Sequence, residues 1–405
     1  MLEINNLQIV LSELDGLNID NYFPFSEMHC VWEMRCGIYR LFEKMNLYFP
    51  DSQVIIEART EYIQSLSKRE KNIKYELNNE KPTLKFIIPI LMNANIKKQL
   101  VNAITGHSSE IIFFTNNNTI FAKYFPSYSK DISNQNSNNI IYINIEDVSI
   151  INYLWDNIYY QSNEIEQDTI ILKNKSSLHY TIEDNVYKGV NVAIFPGVIL
   201  DASHGSIIIE DNVKIMHNSV IIGPCYIGKN SIIKIGAKVY ENCSFGPYCK
   251  IGGEVEDVIF HGYSNKQHDG FIGHAYIGEW VNFGANTNNS DLKNNYSNIR
   301  VNLPHKVVDT GNQFFGFLCG DHSKTAICTA INTGTVIGTC SMIALNKLTP
   351  KYIPSFAWMA NDKTDIYQLE KAAETAKIVL QRRNKELLKE EENILASIYK
   401  KQNLV

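Results

Sequence analysis

Apolar residues recur at every sixth position along much of the second half of the chain. They stand at Ile209, Ile215, Ile221, Ile227, Ile233, Val239, Phe245 and Ile251, and Val186, Val192 and Val198 precede them at the same spacing. A helix repeats every 3.6 residues and a strand every 2, so this step indicates coils in which each sixth residue points inward. The pattern predicts a left-handed parallel β-helix of hexapeptide repeats from about residue 180 to 350.

The six-residue step is interrupted twice. It breaks across 253–270, resumes at Phe271, Ile277 and Phe283, and returns again at Ile331, Ile337 and Ile343. These breaks predict two loops that leave the coil, at about 253–270 and 286–325. Because the flat faces of a coil form no cleft, the polar side chains of such loops are the natural candidates for function.

The regions on either side of the β-helix have other patterns. Residues 1–165 alternate charged helical stretches with short β-rich apolar runs, which predicts an α/β domain. The predicted strands are Gln8–Leu11, Gln53–Glu57, Leu84–Met92, Ile111–Phe114 and Ile140–Ile145. The polar segment 127–139 is expected to be an exposed loop.

The β-helix domain is placed at 166–358, and residues 359–405 are expected to form a C-terminal helix because apolar residues from Leu369 to Leu380 share one helical face.

Composition narrows the classes of partner and compartment. The chain has 405 residues and a net charge of −5, so neither nucleic acid nor an anionic membrane is expected to bind it. Its eight cysteines include no C-x-x-C pair, as is typical of thiols kept reduced in a cytoplasm. No apolar run approaches the roughly 20 residues that span a bilayer, and no spacing of Cys and His indicates a metal site.

The densest polar segment, 262–296, suggests acyl transfer. Imidazole groups titrate near neutral pH, so His268 could take a proton from an attacking amine or hydroxyl, with Asp269 beside it to orient the ring. A surface histidine is the plainer interpretation. Asn282 stands fourteen positions later, close to one coil, and either binds the substrate carbonyl or continues a structural asparagine ladder. Lys266 is expected to contact the substrate.

A second polar group lies in GDHSKT, residues 320–325. His322 and Lys324 could contact a phosphate there, or the segment could be a solvated turn.

The motif HDGFIGHAYIGEWVNFGANT, residues 268–287, resembles the acetyltransferase half of GlmU-type proteins, and in particular their divergent branch of sugar nucleotidyltransferases. The stretches GDHSKTAICTAINTGTVIG and IPSFAW extend the resemblance over roughly residues 186–358. It implies an acetyl-CoA-dependent transferase, assembled as a homotrimer, that acts on a hexosamine 1-phosphate. The implied site consists of His268 as general base, Asn282 as a hydrogen-bonding group, Ala285 at acetyl-CoA, and Phe271, Asn295 and Tyr296 at the substrate. Asn286 and Lys324 are further candidates for acetyl-CoA binding, and His322 is a further candidate for the substrate.

The N-terminal half resembles the same branch more weakly. FPFSEMHCVWEMRCGIYRLFEK, residues 23–44, matches the branch's L-P-L-T…E-L-R-x-G…E-K pattern, with Met28, His29 and Cys30 at its usual T-R-P. The resemblance makes Arg35 and Lys44 candidates for phosphate binding, and a structural role is the alternative for both. No Gly-rich phosphate loop follows the first predicted strand.

Three functions follow from these features. The first is acyl transfer at His268, and the second is sugar-1-phosphate nucleotidyl transfer by the N-terminal domain with Mg²⁺ and a nucleoside triphosphate. The third is a catalytically silent scaffold that binds a nucleotide sugar. Binding of CoA distinguishes the first from the third.

Overall fold

The fold is taken from a computed structural model that describes residues 6–70, 73–126, 140–174, 180–361 and 363–402. The predicted loop at 127–139 lies outside these residues. The chain divides into two compact units. The first consists of Met1–Ile19, His29–Met34 and Tyr39–Asn152, and the second of Asp20–Met28, Arg35–Ile38 and Tyr153–Val405.

The first unit is an α/β layer around a mixed six-stranded sheet. Its strands are β1 (Gln8–Ser12), β2 (Gln53–Glu57), β3 (Thr83–Phe86), β4 (Ile90–Leu91), β5 (Ile111–Phe114), β6 (Ile120–Phe125), β7 (Ile141–Asn144) and β8 (Ser149–Ile150). The sheet order is β2-β1-β3-β6-β5-β7, while β8 pairs with β4. Its helices are α1 (Leu41–Tyr48), α2 (Thr60–Arg69) and α3 (Ala94–Ile104).

The predicted strands agree with this sheet except at one position. β2 and β5 have the predicted bounds, β1 is one residue longer at its C-terminal end, and β7 is one residue shorter at each end. The predicted strand Leu84–Met92 is wrong, because the run is split into β3 and β4 with Pro89 between them. Proline has no N–H to give to the strand ladder, so the strand cannot continue through it.

The second unit is built on a parallel β-helix with three faces. The first face contains Val186–Lys188, Ile207–Ile209, Cys225–Ile227, Cys243–Phe245, Phe317–Cys319, Thr335–Ile337 and Tyr352–Ile353, with Thr181–Glu183 antiparallel at its edge. The second contains Ala193–Ile194, Lys214–Ile215, Ile232–Ile233, Lys250–Ile251, Asn265–Lys266, Lys324–Thr325, Met342–Ala344, Ala357–Ala360 and Lys363–Ile366. The third contains Ile199–Asp201, Val220–Ile222, Lys238–Val239, Asn288–Asn289 and Ala330–Ile331.

Two long strands, Glu254–Gly262 and Phe271–Glu279, run through a corner and belong to both the third and the first face. An antiparallel hairpin, Arg300–Leu303 with Lys306–Asp309, leaves the coil. Three helices complete the unit: α4 (Asp156–Asn174), α5 (Leu369–Gln381) and α6 (Lys389–Gln402). The predicted domain boundary after residue 165 therefore falls inside α4.

The six-residue pattern forms the core of this β-helix. Every predicted inward residue from Ile209 to Ile251 has at most 1% of its surface exposed. Each coil places its inward residue directly against that of the next coil, as Ile233 against Ile251. This stacking buries a continuous apolar column, and its burial is the main stabilising term for such a solenoid.

Three expectations for the β-helix and its C-terminal extension need correction. Residues 254–262 form a strand of the coil rather than a loop, because this coil is short: fifteen positions separate Ile251 from its partner Lys266, where eighteen separate Ile233 from Ile251. Phe271 is not an inward residue; Ile272, with 0% exposed, has that place. Two helices, α5 and α6, stand where one C-terminal helix was predicted.

Segments that precede α4 in the chain cover the first face. The Arg35 N–H donates to the Tyr276 hydroxyl at 2.9 Å, and the Ser244 hydroxyl donates to the carbonyl of Gly37 at 2.8 Å. Phe25 packs edge-on against Tyr276, with ring centroids 5.6 Å apart. The first face is therefore part of the buried interior of this unit, which leaves the second and third faces for ligands.

Candidate functional site

His268 lies at the corner where the second face turns into the third. Its side chain is exposed, and so is that of Asp269. The turn of the next coil, 284–287, lies directly on this turn, because the Asn286 N–H donates to the carbonyl of Asp269 at 2.9 Å. Ala285 and Asn286 thus lie one coil from His268, which places the predicted base beside the predicted acetyl-CoA contacts.

Asn286 adopts a φ of 57° at this corner. This left-handed conformation costs little for asparagine, so Asn286 fits the turn without backbone strain.

The second face presents a ladder of polar residues beside this corner. Lys250, Asn265, Asn282 and Lys324 pair in register on successive coils. Asn282 is half-buried, and among the described residues none hydrogen-bonds to its side-chain amide. Asn265, which the sequence analysis did not select, has a buried Oδ1 that accepts no hydrogen bond in the described part of the chain. The two amides could therefore bind a polar substrate group without breaking an existing bond.

The third face presents a lysine, a glutamate and a phenylalanine on the other side of the corner. Lys238, Glu254 and Phe271 are partners in register, and Lys238 lies 3.5 Å from Glu254 in an exposed ion pair. The Phe271 N–H donates to Oδ1 of Asn288 at 2.8 Å. The Phe271 ring is half-buried, so it can pack against a ligand placed at the corner.

Lys266 points into the β-helix rather than toward a substrate. It pairs with Ile251 at an inward position and is 2% exposed. Its ammonium donates to the carbonyls of Gly252 at 3.0 Å and His268 at 2.7 Å. Burial lowers the pKa of Lys266 to about 8, although Asp269 and Glu254 act in the opposite direction. The predicted substrate contact is therefore wrong for this side chain, which instead fixes the main chain at His268.

This buried lysine gives the protein a pH-dependent stability. The pKa of Lys266 is below that of an unfolded lysine, so the unfolded chain binds more protons between about pH 8 and 10.4, and stability rises with pH across that window. Thermal melts of the wild type should show this rise, and Lys266→Met should lack it. The matched change at an exposed lysine, Lys229→Met, should preserve it; equal slopes for wild type and Lys266→Met would contradict the assignment.

The candidates of the second polar group, His322 and Lys324, both make contacts within the chain. His322 is 4% exposed, and its ring stacks toward Trp280 with centroids 6.4 Å apart. The Lys324 ammonium donates to the His322 carbonyl at 2.8 Å, and burial lowers the pKa of Lys324. The buried ring of His322 makes a direct phosphate contact an unsuitable role for it.

Asn295 and Tyr296 are exposed in the loop that follows the corner. Asn295 Oδ1 accepts from the Ser297 hydroxyl at 2.9 Å, and Tyr296 is 64% exposed. His274, a residue without a role in the sequence analysis, holds the start of this loop, since its Nδ1 lies 2.9 Å from Oδ2 of Asp291. The burial of His274 acts to lower its pKa, but the bond to Asp291 and the charge of Asp257 raise it above the ordinary value.

The phosphate candidates of the N-terminal half are both buried. Arg35 is 6% exposed, lies 5.7 Å from the Tyr226 ring centroid and donates from its guanidinium to the carbonyl of Ile38. Lys44 is 1% exposed in α1 of the first unit. Their burial favours the structural alternative.

A network of charges occupies the carboxyl ends of β1 and β2 in the first unit. The Ser12 hydroxyl donates to Glu57 at 2.7 Å, and the Lys85 ammonium lies 2.6 Å from both Glu57 and Asp15. Ligands of open α/β sheets bind at this edge. The lysine is already neutralised by two carboxylates, so it would have to exchange partners to hold a phosphate.

Comparisons with known proteins agree with this two-part organisation. Residues 11–177 match the family model of the sugar nucleotidyl transferases, and residues 206–240 match that of the bacterial transferase hexapeptide repeats. The chain thus joins a region similar to the sugar nucleotidyl transferases to a β-helix that contains a match to hexapeptide repeats, as the resemblance implied.

Several curated proteins are similar over part of the chain. A bifunctional sugar-1-phosphate nucleotidylyltransferase/acetyltransferase of Sulfurisphaera tokodaii is 34% identical over 150 residues, which cover 33% of this chain and 37% of that protein. The bifunctional protein GlmU of Clostridioides difficile is 33% identical over 158 residues, covering 34% and 33%. The chain therefore spans about a third of the length of these two relatives.

Among solved structures, a UDP-N-acetylglucosamine acyltransferase from Campylobacter jejuni covers 53% of this chain and 79% of its own, at 15% identity and a TM-score of 0.24. In the described part of the chain, none of the helices has the length and apolar character needed to cross a membrane.

Proposed function

We propose that this protein is a transferase that moves the acetyl group of acetyl-CoA to the amine of a hexosamine 1-phosphate at the His268 corner. The observation that carries the proposal is the direct stacking of the 268–270 turn on the 284–287 turn, with the Asn265 and Asn282 amides on the adjoining face. The acetyltransferases and the bifunctional transferases among the relatives support the reaction class.

The reaction needs one general base and one hydrogen-bond donor to the oxyanion. The amine nitrogen attacks the thioester carbon, and His268 removes the proton that this nitrogen loses. The Asn282 amide or a main-chain N–H of the Ala285 turn donates to the oxyanion. The tetrahedral intermediate then expels the CoA thiolate, which takes the proton back from the imidazolium.

The corner is exposed in the single chain, whereas acyl transfer benefits from exclusion of water. We infer a homotrimer, in which a neighbouring β-helix covers the corner and acetyl-CoA lies in the groove between the two. The resemblance to hexapeptide-repeat transferases supports this assembly. A cytoplasmic location is consistent with the phosphorylated substrate and with cysteines that are all free in the structure.

The family match of residues 11–177 favours a second activity, the transfer of a nucleotidyl group from a nucleoside triphosphate with Mg²⁺ to a sugar 1-phosphate. Magnesium would neutralise the triphosphate during this reaction. The carboxylates of Asp15 and Glu57, at the carboxyl edge of the sheet, are oxygen ligands of the kind that Mg²⁺ binds.

Ligand-dependent melting temperatures test both activities. Acetyl-CoA should raise the melting temperature of the wild type if the β-helix is a transferase, and UTP with Mg²⁺ should raise it if the first unit binds a nucleotide. Stabilisation by neither ligand would overturn the proposal and favour the catalytically silent scaffold.

A further inference from the structure

Five cations gather where the second face meets the connection between α5 and α6. Lys234 and Lys250 stand on two successive coils, and Arg382, Arg383 and Lys385 follow α5 in the chain; we call these five residues the basic cluster. In the described part of the chain, no carboxylate lies within 4 Å of any of their charged groups. Several other exposed lysines of this unit lie beside carboxylates, as Lys188 does beside Glu183 at 3.1 Å.

Aromatic residues fix the helical half of the cluster against the coils. Tyr248, Tyr263 and Trp280 stack on successive coils, with ring centroids 5.2 and 4.3 Å apart. Leu380 of α5 packs on Trp280, and the Lys385 ammonium lies 5.9 Å from the centre of the Tyr263 ring. The cations that follow α5 are therefore held beside the second face by packing.

The cluster is electrostatically unfavourable when it is empty. Burial lowers the pKa of Lys250, and the charges of Arg383, Arg382 and Lys234 lower it further. Like charges held together by packing cost free energy, and a bound anion would remove that cost. Phosphate groups are the anions best suited to several convergent lysine and arginine donors.

The basic cluster lies close to the His268 corner along the second face. Lys250 is the register partner of Asn265 on the next coil, which is about 4.8 Å away. His268 follows Asn265 by three residues, or roughly 10 Å of extended chain. A phosphate at the cluster would thus lie within the length of a small phosphorylated ligand whose reacting atom is at His268.

We propose that the basic cluster binds a phosphate group of a phosphorylated ligand of the transferase site. This inference rests on the proposed function for the identity of that ligand. The phosphate could belong to the hexosamine 1-phosphate or to the 3′-phosphoadenosine diphosphate of CoA, and the same donors serve either one.

A triple substitution tests the cluster directly. The variant is Lys250→Gln/Arg382→Gln/Arg383→Gln. If a phosphorylated ligand binds at the cluster, we expect its affinity for this variant, measured by calorimetry, to be at least tenfold weaker than for the wild type. Glucosamine 1-phosphate and acetyl-CoA are the two probes, and the one that weakens identifies the source. The matched control, Lys188→Gln/Lys229→Gln/Lys389→Gln, removes the same charge from paired surface lysines and should bind both probes as the wild type does.

Any of three results would contradict phosphate binding at the cluster. The triple variant could bind both probes with wild-type affinity, the control variant could be weakened equally, or the wild type could bind neither probe. Circular dichroism melts establish that both variants are folded. Failure of the proposed function is distinguishable: the wild type would bind a probe through the cluster and still transfer no acetyl group.

Discussion

His268→Ala is expected to lower kcat for acetyl transfer by about 10²–10⁴-fold, the usual contribution of a positioned general base. The side chain is exposed, so its removal should change the free energy of unfolding by less than about 0.5 kcal/mol. The measurement is the rate at which free CoA thiol appears with acetyl-CoA and glucosamine 1-phosphate, together with a thermal melt.

The control for this prediction is His305→Ala, because the His305 side chain is 80% exposed at the turn of the hairpin that leaves the coil. It should transfer acetyl groups at the wild-type rate. If His268→Ala is as active as His305→Ala, the base is another group and the corner assignment fails.

Phe245→Ala is expected to destabilise the protein by about 3–5 kcal/mol, because it leaves a cavity in the close-packed column of the β-helix. Phe245 is 0% exposed, and its ring lies 5.8 Å from that of Phe260 on the next coil. Urea unfolding followed by circular dichroism measures the change in the free energy of unfolding.

The control for the core prediction is an apolar residue on the surface. Ile378 in α5 is 56% exposed, and Ile378→Ala should change stability by less than about 0.5 kcal/mol. A loss below about 1 kcal/mol for Phe245→Ala would mean that the coils tolerate a void, contrary to the packing described above.

The six-residue period was sufficient to predict the β-helix, because inward positions of a solenoid accept only apolar side chains over long stretches. It failed where this rule is broken. Lys266 occupies an inward position that periodicity assigns to an apolar residue, so the coil that contains it looked like a loop. Only the structure shows that two main-chain carbonyls accept hydrogen bonds from its ammonium.

The candidate site was predictable only in part. The stacking of the Ala285 turn on the His268 turn follows from coil length, which the sequence contains. The roles of Asn265 and His274 depend on which side chains meet across coils of fifteen or seventeen residues, and no spacing rule gives that. The hydrophobic context of His322 is likewise set by Trp280, 42 positions earlier on the neighbouring coil.

The two units also differ in how far their chemistry follows from sequence. The missing Gly-rich loop after β1 was visible in the sequence, whereas the pairing of Lys85 with both Asp15 and Glu57 was not. These three residues come from separate strands and loops, and only the parallel pairing of β1 with β2 and β3 brings them together.

The most direct test of the proposed acetyl transfer is mass spectrometry of a reaction that contains the wild-type protein, acetyl-CoA and glucosamine 1-phosphate. We expect a product heavier than the sugar phosphate by one acetyl group on its nitrogen, and one CoA thiol released for each product formed. Intact acetyl-CoA and unmodified amino sugar, under conditions where both ligands bind, would contradict it.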